Sequence, residues 1–290
     1  MSLGQAFSEA IHAFGRSAEM DAIRGAAALV APLHEREPYT GVEVTRDLKY
    51  GPHERHRLDV FRGPDHSAEP KPVFLFVHGG GFIGGDKATP GSPFYDNMPL
   101  WAARHGMIGV NITYRLAPQH QWPAGGEDVG AAIDWVRANI AAHGGDPDRI
   151  FVAGTSAGAV HVATFLAGPY GAEQKVKGAV LLSCLFDMPT CEKNPLLTNY
   201  FGEDESRHPA QSTLKALAET PIPVLVTLAE YDPIDFERQT LAYVNAFFAA
   251  RGRWPNVLRL AGHNHFTTAW HVGTRDDYLA SHMLEFMRRA

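Results

Sequence analysis

From Val73 onward the chain alternates short apolar runs with longer stretches of helical spacing. The runs are Val73–Val77, Met107–Thr113, Ile150–Ala153, Val176–Leu182, Val224–Leu228 and Val257–Leu260. Helix-like patterns fall near Glu127–Ala142, Ala157–Ala167, Phe236–Ala250 and Asp276–Arg288. Unbroken apolar runs suit strands buried on both faces. Strands separated by helices need crossover connections, which predicts an α/β fold with a mostly parallel central sheet flanked by helices. The last helix has Thr274 as its expected N-cap, with Leu279, Met283, Phe286 and Met287 on one apolar face.

The first part of the chain reads differently. Residues 1–33 look helical, with Phe7, Ile11 and Phe14 at helix spacing and a second alanine-rich stretch ending at Ala31-Pro32. Alternating segments near Val42–Leu48 and His56–Phe61 predict a hairpin, with Gly51-Pro52 as the turn signal. One later stretch, Asp187 to Gln211, breaks the strand–helix rhythm. It reads as an excursion over the sheet's edge and a candidate lid.

Composition narrows the class. A chain of 290 residues, 45% hydrophobic and 20% charged, can bury one large core without staples. This excludes a disordered chain, a collagen and a coiled coil. A net charge of −6 argues against a nucleic-acid partner and leaves a charged small substrate open. The two cysteines, Cys184 and Cys191, match neither a disulfide framework nor a zinc-ligand spacing. No basic leader precedes an apolar stretch, and runs such as Gly25 to Leu33 are too short to span a membrane. The expectation is a cytoplasmic protein with no membrane partner.

The strongest chemical signal is Gly154-Thr155-Ser156-Ala157-Gly158, between an apolar run and a helical stretch. A strand–GxSxG–helix context predicts a nucleophile elbow with the Ser156 hydroxyl at the tip of a tight turn. His78-Gly79-Gly80-Gly81 follows the run Val73–Val77 directly. Bare glycines there let backbone N–H groups approach a substrate oxygen that gains negative charge. Gly80, Gly81 and Ala157 are the expected donors. A phosphate cradle would more typically carry GxxxxGK[ST], which is absent.

A serine nucleophile needs a base, and the base an orienting carboxylate. The expected chain order is serine, acid, histidine. Val224–Leu228 runs into Ala229-Glu230-Tyr231-Asp232-Pro233-Ile234-Asp235, where Asp232 is the first choice, Asp235 the second and Glu230 the third. Asp235 has the stronger claim to cap the following helix. After Val257–Leu260, His263 and His265 compete for the base. An HxH pair can also hold a metal, with His271, Asp276 or Asp277 completing the set. No other feature supports that, and no metal or cofactor is expected.

Three motifs carry a resemblance: His78-Gly-Gly-Gly-Phe82 with Gly85-Asp86; Tyr114-Arg-Leu-Ala-Pro118 with Trp122-Pro123-Ala124 and Glu127-Asp128; and Gly154-Thr-Ser-Ala-Gly158. Together they resemble the bacterial hormone-sensitive-lipase-like carboxylesterases (family IV, GTSAG subgroup) of the α/β-hydrolase superfamily. The likeness is dense from Val73 to Ala167 and thinner beyond. It implies a catalytic domain over 41–290, with residues 1–40 as a small N-terminal helical cap. It also implies Asp232, in its Asp-Pro pair, as the acid and His265 as the base. The Asn264-His265-Phe266 loop instead resembles feruloyl-esterase-like hydrolases and arylformamidases, where His-Gly-Phe is usual for the main group.

The resulting expectation is a serine carboxylesterase for short-chain acyl esters. Ser156, Asp232 and His265 form its triad, and Phe82 and Leu185 face the substrate. Phe7, Ile11 and Phe14 are expected either to close an acyl pocket or simply to pack on the core. An arylformamidase, an amidase or a feruloyl-type esterase could use the same triad. A catalytically inactive hydrolase fold that binds a ligand is the reading from another class. The sequence leaves a homodimer open.

Overall fold

The computed structural model describes residues 4–65 and 69–290. Its eight strands are β1 (Glu43–Lys49), β2 (Arg57–Arg62), β3 (Lys71–Val77), β4 (Ile108–Ile112), β5 (Gly145–Thr155), β6 (Gly178–Leu182), β7 (Val224–Tyr231) and β8 (Asn256–Asn264). They form one sheet in the order β1-β2-β4-β3-β5-β6-β7-β8. The expected hairpin supplies β1 and β2, which pair antiparallel, and β2 pairs antiparallel with β4. From β4 to β8 every pairing is parallel.

The strand order fixes where chemistry can occur. After β3 the chain steps outward to β4, then returns to the other side of β3 as β5. Sequence order therefore reverses between β3 and β5. At such a switch point the loops leaving the carboxyl ends diverge and open a crevice. The two loops leaving there are His78-Gly-Gly-Gly and the turn at Ser156.

The continuous apolar runs do what their pattern predicts. Val73, Leu75, Val77, Ile150, Val152, Ala179 and Leu181 enter one core cluster. Their neighbours Phe74, Phe76, Phe151, Ala153, Val180 and Leu182 enter another on the opposite face. Helices α4 (Ala124–Asn139) and α5 (Ala157–Ala167) cover the first face, with Ile133, Val136 and Phe165 buried against it. Helices α1 (Gln5–Phe14), α2 (Met20–Val30) and α3 (Asn97–Arg104) join the C-terminal helix Tyr278–Arg289 on the second. No helix among the described residues is long and apolar enough to cross a membrane.

Two expectations at helix ends need correction. The C-terminal helix starts at Tyr278 with Asp277 at its N-cap position, not at Thr274. Thr274 Oγ1 instead accepts from the Asp276 amide, and the Asp276 carboxylate turns toward His263. Asp235 is not a cap either. It lies one residue inside the helix Ile234–Arg251 and accepts from the backbone N–H of Glu192 at 3.0 Å. Its carboxylate is spent on tethering the 187–211 excursion.

A buried ionic cluster joins the hairpin to the segment after the glycine loop. Asp59, fully buried on β2, accepts from Arg46 at 2.8 Å, Lys87 at 2.9 Å and the Asp47 amide at 2.7 Å. Arg46 also grips Asp96, which accepts from Tyr39 at 2.7 Å. Removing Asp59 leaves the buried Lys87 without its main counter-charge. Breaking a buried pair from one side costs about 3–5 kcal/mol. Asp59→Ala is therefore expected to lower unfolding stability by that amount in a urea titration, and a loss below about 1 kcal/mol would show the cluster to be dispensable.

Candidate active site

Ser156 occupies the turn between β5 and α5 with φ 53° and ψ −121°. A non-glycine residue in this region carries strain of about 1–3 kcal/mol, which only a rigid surround maintains. The surround is built by close backbone approach. A Cβ at Gly158 would overlap the carbonyl oxygens of Val77 and His78, and one at Gly154 would overlap the Gly158 carbonyl. The flanking glycines thus let β3, β5 and α5 converge on one point. The Ser156 amide donates to Leu182 O at 2.9 Å, which anchors the turn to β6.

The Ser156 Oγ lies 2.9 Å from His265 Nε2. His265 Nδ1 lies 2.7 Å from Asp232 Oδ1. Asp232 is fully buried at the end of β7, and its second oxygen accepts from Ser183 Oγ at 2.8 Å and the Ala229 amide at 2.6 Å. With Oδ2 held by two donors, Oδ1 is left to face the imidazole. Ser183 had no motif to mark it. It is a lone serine just past β6, with φ 50°, and only tertiary contact reveals its role.

The other candidates separate. Glu230 points away, accepting from the Gly262 amide at 2.8 Å and pairing with Arg259 at 3.2 Å. His263 faces away from Ser156. Its ring lies 4.1 Å from that of His271, and its Nε2 is 3.4 Å from Asp276. The structure therefore brings His263, His271 and Asp276 together as a group that excludes His265.

The glycine loop lines the same cavity as Ser156 and His265, and Ala157 closes it from the α5 side. Gly80 and Gly81 have φ of 141° and 60°, which side chains rarely tolerate. The middle motif of the sequence now has a mechanical explanation. Tyr114 donates to the His78 carbonyl at 2.9 Å and stacks on the His78 ring at 4.3 Å. The Ala117 amide donates to Phe82 O at 3.0 Å. Arg115 is clamped to Asp128 through its amide and its Nε, both at 2.8 Å. This segment is the bracket that holds the glycine loop. Burial lowers the His78 pKa to about 4, so its ring is a neutral packing element at pH 7.

The cavity measures about 620 Å³. Phe82 and Leu185 line it, joined by Val160, Leu196, Leu197 and Phe236. The excursion at 187–211 supplies a wall. Its helix Pro195–Phe201 is capped by Asn194, and Tyr200 stacks on Phe82 at 4.6 Å. Of the two expectations for Phe7, Ile11 and Phe14, packing on the core is the one the structure bears out, and closing the acyl pocket is not. Ile11 is fully buried in the sheet-face core, with Phe7 and Phe14 packed against it. The N-terminal segment reaches the cavity through Ala18 and Ile23 instead. Helix spacing identified the apolar face correctly, but the sheet claimed that face.

A family profile described as alpha/beta hydrolase fold matches residues 74–267, which run from β3 to just past His265. The chain belongs to the α/β-hydrolase fold family. Among curated relatives in this family, Esterase LipC of Mycobacterium tuberculosis is 41% identical over 113 residues, covering 39% of this chain and 27% of that protein. Catharanthine synthase of Catharanthus roseus is 33% identical over 182 residues, covering 56% of this chain and 54% of that protein. The chain spans about a third or less of the length of the mycobacterial esterases it matches. In overall fold it is similar to a hyperthermophilic esterase from the archeon Pyrobaculum calidifontis. That likeness has a TM-score of 0.72 and 23% identity, covering 100% of this chain and 99% of the other. The profile begins inside β3 and leaves β1 and β2 outside, while the likeness of fold extends over the whole sheet.

The tightest steric demand in this α/β-hydrolase elbow sits at Gly158. Gly158→Ala inserts a methyl against two backbone carbonyls that cannot rotate away. Overpacking of this kind costs about 1–3 kcal/mol or more. The variant is expected to melt several degrees lower, and an unchanged Tm would show that β3 and α5 can separate freely.

Proposed function

We propose that the chain is a serine carboxylesterase that cleaves short-chain acyl esters through a covalent acyl-enzyme. The observation that carries this reading is the continuous relay from Asp232 through His265 to Ser156, opening into the cavity shared with the glycine loop. In this mechanism His265 Nε2 takes the Ser156 proton as the oxygen attacks the ester carbonyl. The N–H groups of Gly80, Gly81 and Ala157 receive the oxyanion, where each well-placed donor is worth about 3 kcal/mol. Asp232 stabilises the imidazolium, which then protonates the leaving alcohol. Water enters, His265 deprotonates it, and deacylation restores the serine. Every step uses groups of the chain and a water molecule.

Of the expected cap over 1–40, residues 1–3 lie outside the described residues, and residues 4–40 serve this reading as a largely helical segment beside the site, attached to the catalytic domain of residues 41–290. Arg16 donates to the carbonyl of Asp232 and pairs with Glu237 at 2.7 Å, so the segment touches the loop that carries the acid. A cytoplasmic setting fits two free cysteines, one of them fully buried.

The decisive experiment compares Ser156→Ala, Asp232→Asn and Asp235→Asn on a short aryl ester. Ser156→Ala is expected to be folded and inactive, and unlabelled by a fluorophosphonate that labels the wild type. Asp232→Asn should lose about 10⁴ in kcat, as when a triad acid presents the wrong tautomer. Asp235→Asn touches the excursion tether and should retain far more turnover. Equal losses in the two aspartate variants would leave Asp232 without its assigned role. An unlabelled, inactive wild type would favour the binding-protein reading. Faster turnover of N-formylkynurenine than of the aryl ester would favour the arylformamidase reading.

The walls of the cavity support a preference for short acyl chains. Phe82, Leu185, Leu196 and Phe236 are among the apolar walls of the cavity, and the charged Glu192 and Lys193 also line it. Extending an acyl chain past these walls exposes methylenes to charge or water. In an aryl-ester series, kcat/KM should peak at about two to six acyl carbons and fall beyond. A value that still climbs past about twelve carbons would contradict a closed acyl pocket.

A further inference from the structure

His263, His271 and Asp276 form a second cluster that the proposed chemistry does not use. All three are buried, His271 completely. One donor atom from each lies within 4.8 Å of the others. They come from three separate elements: the end of β8, the residue closing the short helix Thr267–Trp270, and the turn before the C-terminal helix.

Hydrogen bonding fixes how the rings present themselves. His271 Nδ1 lies against the carbonyl of Thr267, which can only accept, so this nitrogen carries the proton. His271 Nε2 is then a bare lone pair, fully buried and without a hydrogen-bond partner. Thr267 Oγ1 accepts from the Asn264 amide at 3.0 Å and donates to the Asn264 carbonyl at 3.3 Å. Thr267 Oγ1 also lies 3.2 Å from His263 Nδ1. His263 Nε2 stands 3.4 Å from the carboxylate oxygen of Asp276, where a proton on Nε2 joins the two. Moving that proton to Nδ1, where Thr267 Oγ1 can accept it, frees a donor atom on each of the three residues for a cation.

We propose that His263, His271 and Asp276 bind a divalent transition-metal cation of the zinc type. Two imidazole nitrogens and one carboxylate oxygen, with water in the fourth position, are a set that suits zinc. In a tetrahedral site with bonds of 2.0–2.1 Å, neighbouring ligand atoms stand about 3.4 Å apart. The His263–Asp276 edge already has that length. Thr267 provides the outer support usual for ligating histidines, taking the far N–H of each ring. The remaining Asp276 oxygen accepts from the Tyr278 amide at 3.3 Å. His265 lies between two of the ligands in sequence, and Thr268 in the same turn donates to the His265 carbonyl at 2.8 Å. The cation braces this turn from behind. Its binding does not depend on the esterase reading.

The test uses the full chain, stripped with a chelator and titrated with Zn²⁺ or Co²⁺. One equivalent is expected to bind, and cobalt should give the intense visible absorption of a tetrahedral site. Zinc at about a hundredfold excess over Kd should raise Tm by about 5 °C. His271→Gln and Asp276→Asn should each lose the cobalt spectrum and the Tm shift. X-ray absorption of the wild-type zinc protein should show two imidazole nitrogens, a readout that needs no variant to fold. Absence of one-to-one binding, a shell with fewer than two imidazoles, or full binding by folded His271→Gln would overturn the proposal.

Discussion

The structure turns on one close approach: the backbone of residue 158 lies against the carbonyls of Val77 and His78. Adjacent parallel strands set β3 beside β5, but strand spacing alone does not join their loops. The missing side chain at 158 lets the first turn of α5 settle onto the end of β3. The serine turn and the glycine loop are then neighbours by construction. Every other part of the site is hung from this joint. Tyr114 braces the loop from one side, Leu182 anchors the turn from the other, and the cavity opens where both meet.

A second layer of order concerns charge. The acid of the relay is fully buried, which would be costly without donors. Three groups supply them, His265 on one oxygen and Ser183 with the Ala229 amide on the other. This division makes the carboxylate directional. The ionic cluster around Asp59 acts in a comparable way, fixing the segment after the glycine loop to the hairpin.

Much of this was legible in sequence, for physical reasons. Doubly buried strands leave unbroken apolar runs, so six of the eight strands could be read directly, and the hairpin gave the other two. Tight turns demand glycine, so Gly154 and Gly158 were visible as a pair. What escaped depends on partners distant along the chain. Ser183 serves Asp232 from 49 residues away. Helix Asn97–Arg104 is two turns long with Pro99 inside it, too short to show a period. Thr274 and Asp235 both looked like helix caps, because local rules see the nearest helix. Thr274 instead receives the Asp276 amide two residues on, short of the helix, and Asp235 was drawn to Glu192, a contact that no window of ten residues contains.

The Asp235–Glu192 tether couples two properties that are often treated as separable. Glu192 begins the run of residues that walls the cavity, while Asp235 sits three residues beyond Asp232, in the first turn of the helix that follows it. Wall and relay share a fastening. Replacements at 192–197 that widen the cavity would therefore pull on the hydrogen bond between Asp232 and His265. Reshaping of the cavity should find freer ground at positions such as Ile23 and Leu185, which border the same space without that link.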